Sequence, residues 1–151
     1  MQNGLEKQIN EFLEYLEIEK NSSKLTIRDY RHYLETFAKW YSSTLPGKSI
    51  ENLILGDVRK YRVYLANRVD ERGKSLKKVT QNYYVIALRS FLRFLIKNDQ
   101  KTLEPSKIEL PKTESRSLKF LEREQIDRLV TMPDTSKEAG VRDRAILELL
   151  F

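Results

Sequence analysis

Apolar side chains recur at helical spacing along most of the chain. Leu5, Ile9, Phe12 and Leu16 step by four, three and four, with Leu13 widening the stripe, and predict a helix over 5–19. Asn21, Ser22 and Ser23 break it, and a serine hydroxyl can accept from the unpaired amides of a following first turn. Ile27, Tyr30, Leu34, Phe37 and Tyr41 then predict a helix over 24–42, and the composition of "STLPGKS" (43–49) predicts a loop. Val58, Tyr61, Leu65 and Val69 predict a third helix over 57–70, with Asp57 in its first turn where a carboxylate suits the helix dipole. "DERGKS" (70–75) is the next turn, with Gly73 as the left-handed residue beyond the helix end. Tyr84, Leu88, Phe91 and Leu95, flanked by Val85, Leu92 and Ile96, give a helix over 76–98 that is apolar over a wide arc and ends at Asn98. It should be the most buried element.

Residues 99–119 carry two prolines and mixed charge without a helical period, which predicts a linker. A short helix over 120–130 follows, "MPDTS" breaks it, and Thr135 and Glu138 have capping-box spacing. The last helix runs from about 137 onward, with Val141, Ala145 and Leu149 on one row and Ile146 and Leu150 on the next. Glycine and proline, at 5 and 4 residues, are too few for a strand-and-turn protein, so the expected class is all-α. The expected organisation is a four-helix domain over 1–98, a linker over 99–119 and two further helices over 120–151. Two helices cannot bury their apolar faces alone. "VRDRAILELLF" (141–151) is therefore expected to fray, fold back on the bundle or pair with another chain.

Several function classes fall away. No apolar run approaches the ~18 residues of a membrane span, and "MQNGLEKQINEFLEY" has no signal-peptide core. With no cysteine and one histidine, there is no thiolate metal site, no thiol nucleophile and no histidine metal set. No phosphate-cradling glycine loop exists, and "PGKS" (46–49) lacks the upstream glycine. His32, among charged neighbours in mid-helix, reads as a solvated position. The expectation is no metal, no cofactor, no small-molecule substrate and no membrane, in a reducing cytoplasm.

Charge changes the picture. The net +6 is concentrated: residues 21–98 hold 16 basic against 6 acidic residues, whereas 1–20 carry −3 and 120–151 carry −2. A concentrated excess points to a polyanion. Residues 59–78 hold 8 of those cations, and the next helix opens with "SLKKVTQNYY". Helix-start amides and lysines hold phosphates, and Asn and Gln reach base edges in a major groove. A second such start is "SSKLTIRDYR" (22–31). The residues alone leave open duplex DNA, RNA or another polyanion, and a basic protein-interaction bundle. The candidate DNA-binding residues are Ser23, Lys24, Thr26, Arg28, Arg31, Lys74, Lys77, Lys78, Thr80, Gln81, Asn82, Tyr83, Arg89 and Lys112.

Together these segments resemble the tyrosine site-specific recombinases, the phage integrase family. "SKLTIRDYRHYLETFAKWY" (23–41) is similar to the start of the family's core-binding domain through Ser23, Thr26, Tyr30, Leu34, Phe37 and Trp40. "LILGDVRKYRVYLANR" (53–68) resembles its third helix through Asp57, Val58 and Tyr61. "TQNYYVIALRSFLRFL" (80–95) resembles the fourth through Ala87 to Phe91, Phe94 and Leu95. "IELPK" (108–112) is similar to the family's hinge, and "FLEREQIDRLV" and "GVRDRAILELLF" look like the first two helices of the catalytic domain.

The resemblance implies a SAM-like core-binding bundle gripping one face of duplex DNA, with its second and fourth helices in the major groove. It implies a linker to a catalytic domain on the opposite face. The family's chemistry uses a tyrosine nucleophile on a phosphodiester, with Arg, Lys and His-type residues stabilising the charge that develops. No residue of this chain is assigned to that set, so the expectation is a piece that binds DNA without cutting it, from a parent acting as a tetramer without metal or nucleotide. The alternatives are a helical adaptor docking partners through 120–151 and a truncated competitor. The chain departs from the family pattern at Asn82-Tyr83-Tyr84, where Asn-Arg-Arg is common, at Glu122 in place of a Ser/Thr cap, and at Glu104 before Pro105.

Overall fold

The computed structural model describes residues 4–69, 73–111 and 120–150. It contains α1 (Gly4–Ile18), α2 (Lys24–Thr44), α3 (Leu55–Asn67), α4 (Lys78–Lys97), α5 (Arg123–Thr131) and α6 (Glu138–Leu150), with single 3-10 turns at Ile50–Asn52 and Pro105–Lys107. The protein is all-α; the one strand-like feature among the described residues is an isolated antiparallel bridge between Val69 and Ser75. The chain divides into two compact units, residues 1–113 and 114–151.

In the first unit the predicted stripes become the core. Ile9, Phe12 and Leu13 of α1, Leu34, Phe37 and Tyr41 of α2, Val58, Tyr61 and Leu65 of α3, and Tyr84, Leu88, Phe91, Leu92 and Leu95 of α4 are all buried. Burying a side chain of this size contributes about 1.5–3 kcal/mol. Phe12 is the junction of three helices: its ring lies 6.1 Å from Tyr30 of α2 and 5.7 and 5.4 Å from Phe91 and Phe94 of α4.

Local chemistry sets the ends. Ser23 caps α2, its Oγ accepting from the Thr26 amide at 3.2 Å. Asn21 and Asp99 take the left-handed conformation just beyond α1 and α4, and Gly73 does so in the predicted turn. α3 starts at Leu55, two residues earlier than the spacing predicts, because the Asp57 carboxylate reaches back to accept from the Ile54 amide at 3.2 Å. It ends at Asn67, leaving Val69 in the bridge and 56% exposed rather than on the buried stripe. α4 begins at Lys78 rather than 76, since Ser75 pairs with Val69 and the Leu76 amide donates to Arg68 O at 3.3 Å. Ile96, expected in the apolar arc, is exposed.

Much of the stretch predicted as linker packs on the bundle. Pro105 and Ile108 are buried, Leu103 and Leu110 lie against the core, and Thr102 Oγ1 donates to Ile50 O at 2.9 Å. Helical periodicity cannot register an irregular segment whose apolar residues fill a groove. Residues 112–119 lie outside the described residues.

The second unit is α5 and α6. Gln125, not a Ser or Thr, satisfies the first turn of α5: its Oε1 accepts from the Glu122 amide at 2.9 Å. The predicted Thr135–Glu138 box does not form; Asp134 instead accepts from the Ser136 amide at 3.1 Å and the Ser136 hydroxyl at 2.6 Å. Gly140 is required where α6 passes this turn, because a Cβ there would sit 1.9 Å from Asp134 O. The apolar rows stay open: Val141, Ile146, Leu149 and Leu150 are all exposed, as are Phe120, Leu121 and Met132.

Candidate nucleic-acid interface

α2 and α4 contact one another around His32, Tyr33 and Tyr84. The rings of Tyr33 and Tyr84 lie 4.5 Å apart, and His32 Nε2 is 3.0 Å from Tyr84 Oη. Arg68, just past α3, donates from NH1 to Tyr84 Oη at 3.4 Å and to Thr36 Oγ1 at 3.5 Å. Thr36 in turn donates to His32 O at 2.9 Å. Sequence reasoning missed this network: it read His32 as solvated, and the ring is indeed exposed, but its nitrogen is bonded to a buried tyrosine on another helix. Desolvation first, then the Asp29 charge, push the Tyr33 phenol up. The Tyr33 phenol is therefore neutral at neutral pH.

Lys24 lies eight residues before His32 and Lys77 seven before Tyr84, or about 12 and 10 Å along their axes at 1.5 Å per residue. With axes 8–10 Å apart, the two starts are at most about 25 Å from one another.

The predicted residues divide by role. Lys24, Lys77 and Lys78 are exposed and have no ion-pair partner among the described residues. Lys74 is exposed. Tyr83 is half exposed beside the buried Tyr84, so the two tyrosines of Asn82-Tyr83-Tyr84 face different surroundings. Thr80 and Asn82 are half-buried.

Other predicted residues are already engaged. Arg28 is forked onto Asp29 through Nε at 3.1 Å and NH2 at 2.9 Å. Arg31 NH1 donates to Asn10 Oδ1 at 3.0 Å, and Gln81 Nε2 donates to Leu76 O at 2.7 Å. Ser23 and Thr26 serve one another and the cap, with their hydroxyl oxygens 2.9 Å apart. Arg89 lies away from both helix starts, half-buried beside α3, where its charge acts on Arg62. Lys112 is outside the described residues.

The connection before α3 is locked by an ion pair. Lys48 Nζ donates to Asp57 Oδ2 at 2.5 Å, and the Asp57 side chain is 4% exposed. Burial pushes the Asp57 carboxyl up, but the Lys48 and Ile54 hydrogen bonds and the Lys48 and Lys60 charges outweigh it, so the net value lies below the ordinary aspartate range. Beside it Tyr41 Oη donates to Ser49 O at 3.0 Å, and burial, with the Asp57 charge second, pushes that phenol up to about 12.

Residues 9–99 match the family model described as "Phage integrase, N-terminal SAM-like domain". The chain belongs to this family. The matched stretch runs from the first core residue of α1 to the left-handed Asp99 that follows α4. Among curated proteins, the chain is 37% identical over 151 residues to the tyrosine recombinase XerC of Oceanobacillus iheyensis, covering 99% of this chain and 47% of that protein. It is 35% identical to XerC of Bacillus subtilis, covering 93% and 44%, and 32% identical to the tyrosine recombinase XerD of Staphylococcus haemolyticus, covering 97% and 48%. The chain thus spans about half the length of the curated relatives it matches. No solved structure matches it significantly. Among the described residues no helix is long and apolar enough to cross a membrane, and no cluster of His, Cys, Asp or Glu could hold a metal ion.

Proposed function

We propose that the first unit binds duplex DNA and serves a tyrosine recombinase, with α2 and α4 as the DNA-facing helices. One observation carries the reading: Lys24, Lys77 and Lys78 stand exposed at the starts of two crossing helices, with no ion-pair partner among the described residues. Exposed cations gathered at helix starts can hold phosphates, and neutralising those phosphates releases the counterions of the duplex. In this reading Lys74, Lys77, Lys78 and Lys24 hold phosphates, together with Ser23, Thr26, Arg28 and Arg31 at the α2 start. Thr80, Gln81, Asn82 and Tyr83 approach base edges, and Arg89 and Lys112 contact the backbone farther out. Family membership and the XerC and XerD relatives support it. The core-binding domain is residues 1–98, followed by a linker over 99–119 and the first part of a catalytic domain over 120–151. The longer protein cleaves and rejoins DNA through a tyrosine, as a tetramer, in the cytoplasm. This chain binds without cleaving, and its own tyrosines are assigned to packing and contact.

The test is a gel-shift titration against duplex DNA over a range of salt. Replacing Lys77 and Lys78 by alanine should flatten the log–log salt dependence by about 1.8 units, or 0.9 per lost phosphate contact. Unchanged affinity and slope in the double variant would remove α4 from the interface.

A second reading, a helical adaptor that docks proteins through residues 120–151, is favoured by the apolar row Val141, Ile146, Leu149 and Leu150 left exposed on α6. Wild-type chain that shows no salt-sensitive DNA binding would favour it.

A further inference from the structure

A second cluster of cations lies at the other edge of α3. A cleft of about 170 Å³ opens between α3 and residues 107–109, with Arg59, Arg62 and Lys107 around it and the buried Val58 and Ile108 beneath. Arg62 donates through NH2 to the carbonyl of Glu109, which ties the segment after α4 to α3. Arg89 of α4 does not line the cleft but lies near enough for its charge to act on Arg62. Its Nε is buried and has no hydrogen-bond partner among the described residues.

This arrangement is costly in the free protein. Burial holds the Arg62 guanidinium below its ordinary value; the Glu109 charge pulls it back up, and the Arg89 charge lowers it again. A structural arginine pair would be expected to share a carboxylate. Among the described residues no ion pair joins Arg59, Arg62, Arg89 or Lys107 to Asp or Glu; Glu109, the acidic residue at the cleft, gives Arg62 its backbone oxygen. A buried donor without a partner destabilises the fold that holds it. The missing species is an anion with several acceptor oxygens, matched to the guanidinium fork.

On its own helix Arg89 shares a face with Lys78, Asn82 and Arg93, at intervals of four, seven and four residues. That stripe runs from Arg89, whose charge reaches Arg62, to the start of α4. We propose that Arg59, Arg62, Arg89 and Lys107 form a second phosphodiester-binding site, separate from the two helix starts. It lies beside the segment through which the chain leaves the bundle. As a DNA contact it rests on the function proposed above; as an oxyanion site it does not. Because Arg62 also holds Glu109 O, a phosphate here would bind to the same group that positions the exit segment.

Two measurements on the full chain test it. In the first, the arginine Nε–Hε NMR signals are followed while inorganic pyrophosphate is added, with sodium chloride at equal ionic strength as control. The Arg62 and Arg89 signals should move saturably with pyrophosphate only, and saturation should be lost in an Arg59→Gln/Lys107→Gln variant. Absence of a saturable shift, or the same shift in the variant, overturns the site and leaves these arginines as stems covering Val58 and Ile108.

The second is duplex binding across salt. Arg89→Gln should bind about tenfold more weakly, with a slope flatter by about 0.9. Arg89→Lys, which keeps the charge but not the fork, should preserve the slope and lose a smaller part of the affinity. If Arg89→Gln melts early, Arg59→Gln, on an exposed residue, carries the same comparison. Wild type that binds duplex while both Gln variants bind identically overturns the cleft, and with it the Arg89 contact, and spares the two helix starts as the DNA-binding surface. Wild type that ignores duplex overturns the proposed function, and the pyrophosphate titration still decides the cleft.

Discussion

Replacing Asp57 by asparagine should destabilise the first unit by about 2 kcal/mol at neutral pH. Removing one partner of a buried ion pair costs about 3–5 kcal/mol. Lys48 is 27% exposed, so its ammonium recovers part of its hydration, and the lower figure follows. The asparagine oxygen can still accept from the Ile54 amide, so the start of α3 is kept. Asp57→Ala loses that bond too and should cost about 1 kcal/mol more. The single tryptophan, Trp40, is buried in the first unit, so its fluorescence in urea reports this unit alone. With a urea dependence of ~1.5 kcal/mol/M, the midpoint should fall by about 1.3 M.

The sign with pH is fixed by the direction of the shift. Asp57 is held below the ordinary aspartate value, so its contribution is fully present above the unfolded value and is lost as pH falls through the folded one. Wild type should therefore approach the Asn variant as the pH falls through the folded value. A gap at neutral pH under ~0.5 kcal/mol, or one that persists unchanged in acid, would refute the ion-pair account.

Tyr61→Phe should leave the first unit as stable or raise it by up to about 1 kcal/mol, because the Tyr61 hydroxyl is buried with no hydrogen-bond partner among the described residues; a loss above ~1 kcal/mol in the Trp40 urea melt would reveal a bond. Ser23→Ala should cost about 1 kcal/mol by removing the oxygen that accepts from the Thr26 amide, with Ser23→Gly milder; an unchanged melting curve would count against the cap. Gly140→Ala forces the backbone at Asp134 away from α6, so amide exchange across the start of α6 should quicken about tenfold or more while the Trp40 transition stays put. Equal exchange rates would contradict the close approach.

The four helices of the first unit were legible because each carries one apolar stripe, and a stripe specifies a buried face without reference to its partner. Ile9, Phe12, Leu34, Phe37, Leu88 and Phe91 needed nothing more. The Ser23 cap and the left-handed Gly73 were equally local. The lysines at the α4 start were legible as charge, since a solvated cation has no tertiary partner to find.

Everything that joins distant residues waited for the fold. A lysine or arginine stem reaches many positions, so its sequence neighbours do not say that Lys48 meets Asp57 or that the Arg89 charge acts on Arg62. The burial of Ile108, in a segment with no period, is decided by a groove that exists only once α3 and α4 have packed. His32 is exposed as its neighbours suggested, but its bond to Tyr84 spans 52 residues and no local pattern could show it. Only the carbonyl of Asp134 lying against it explains why position 140 must be glycine. Composition and spacing therefore fixed which faces are apolar and where the positive charge gathers. Packing decided which of those charges meet a partner within the protein, because a partner distant in sequence is brought near only by the fold.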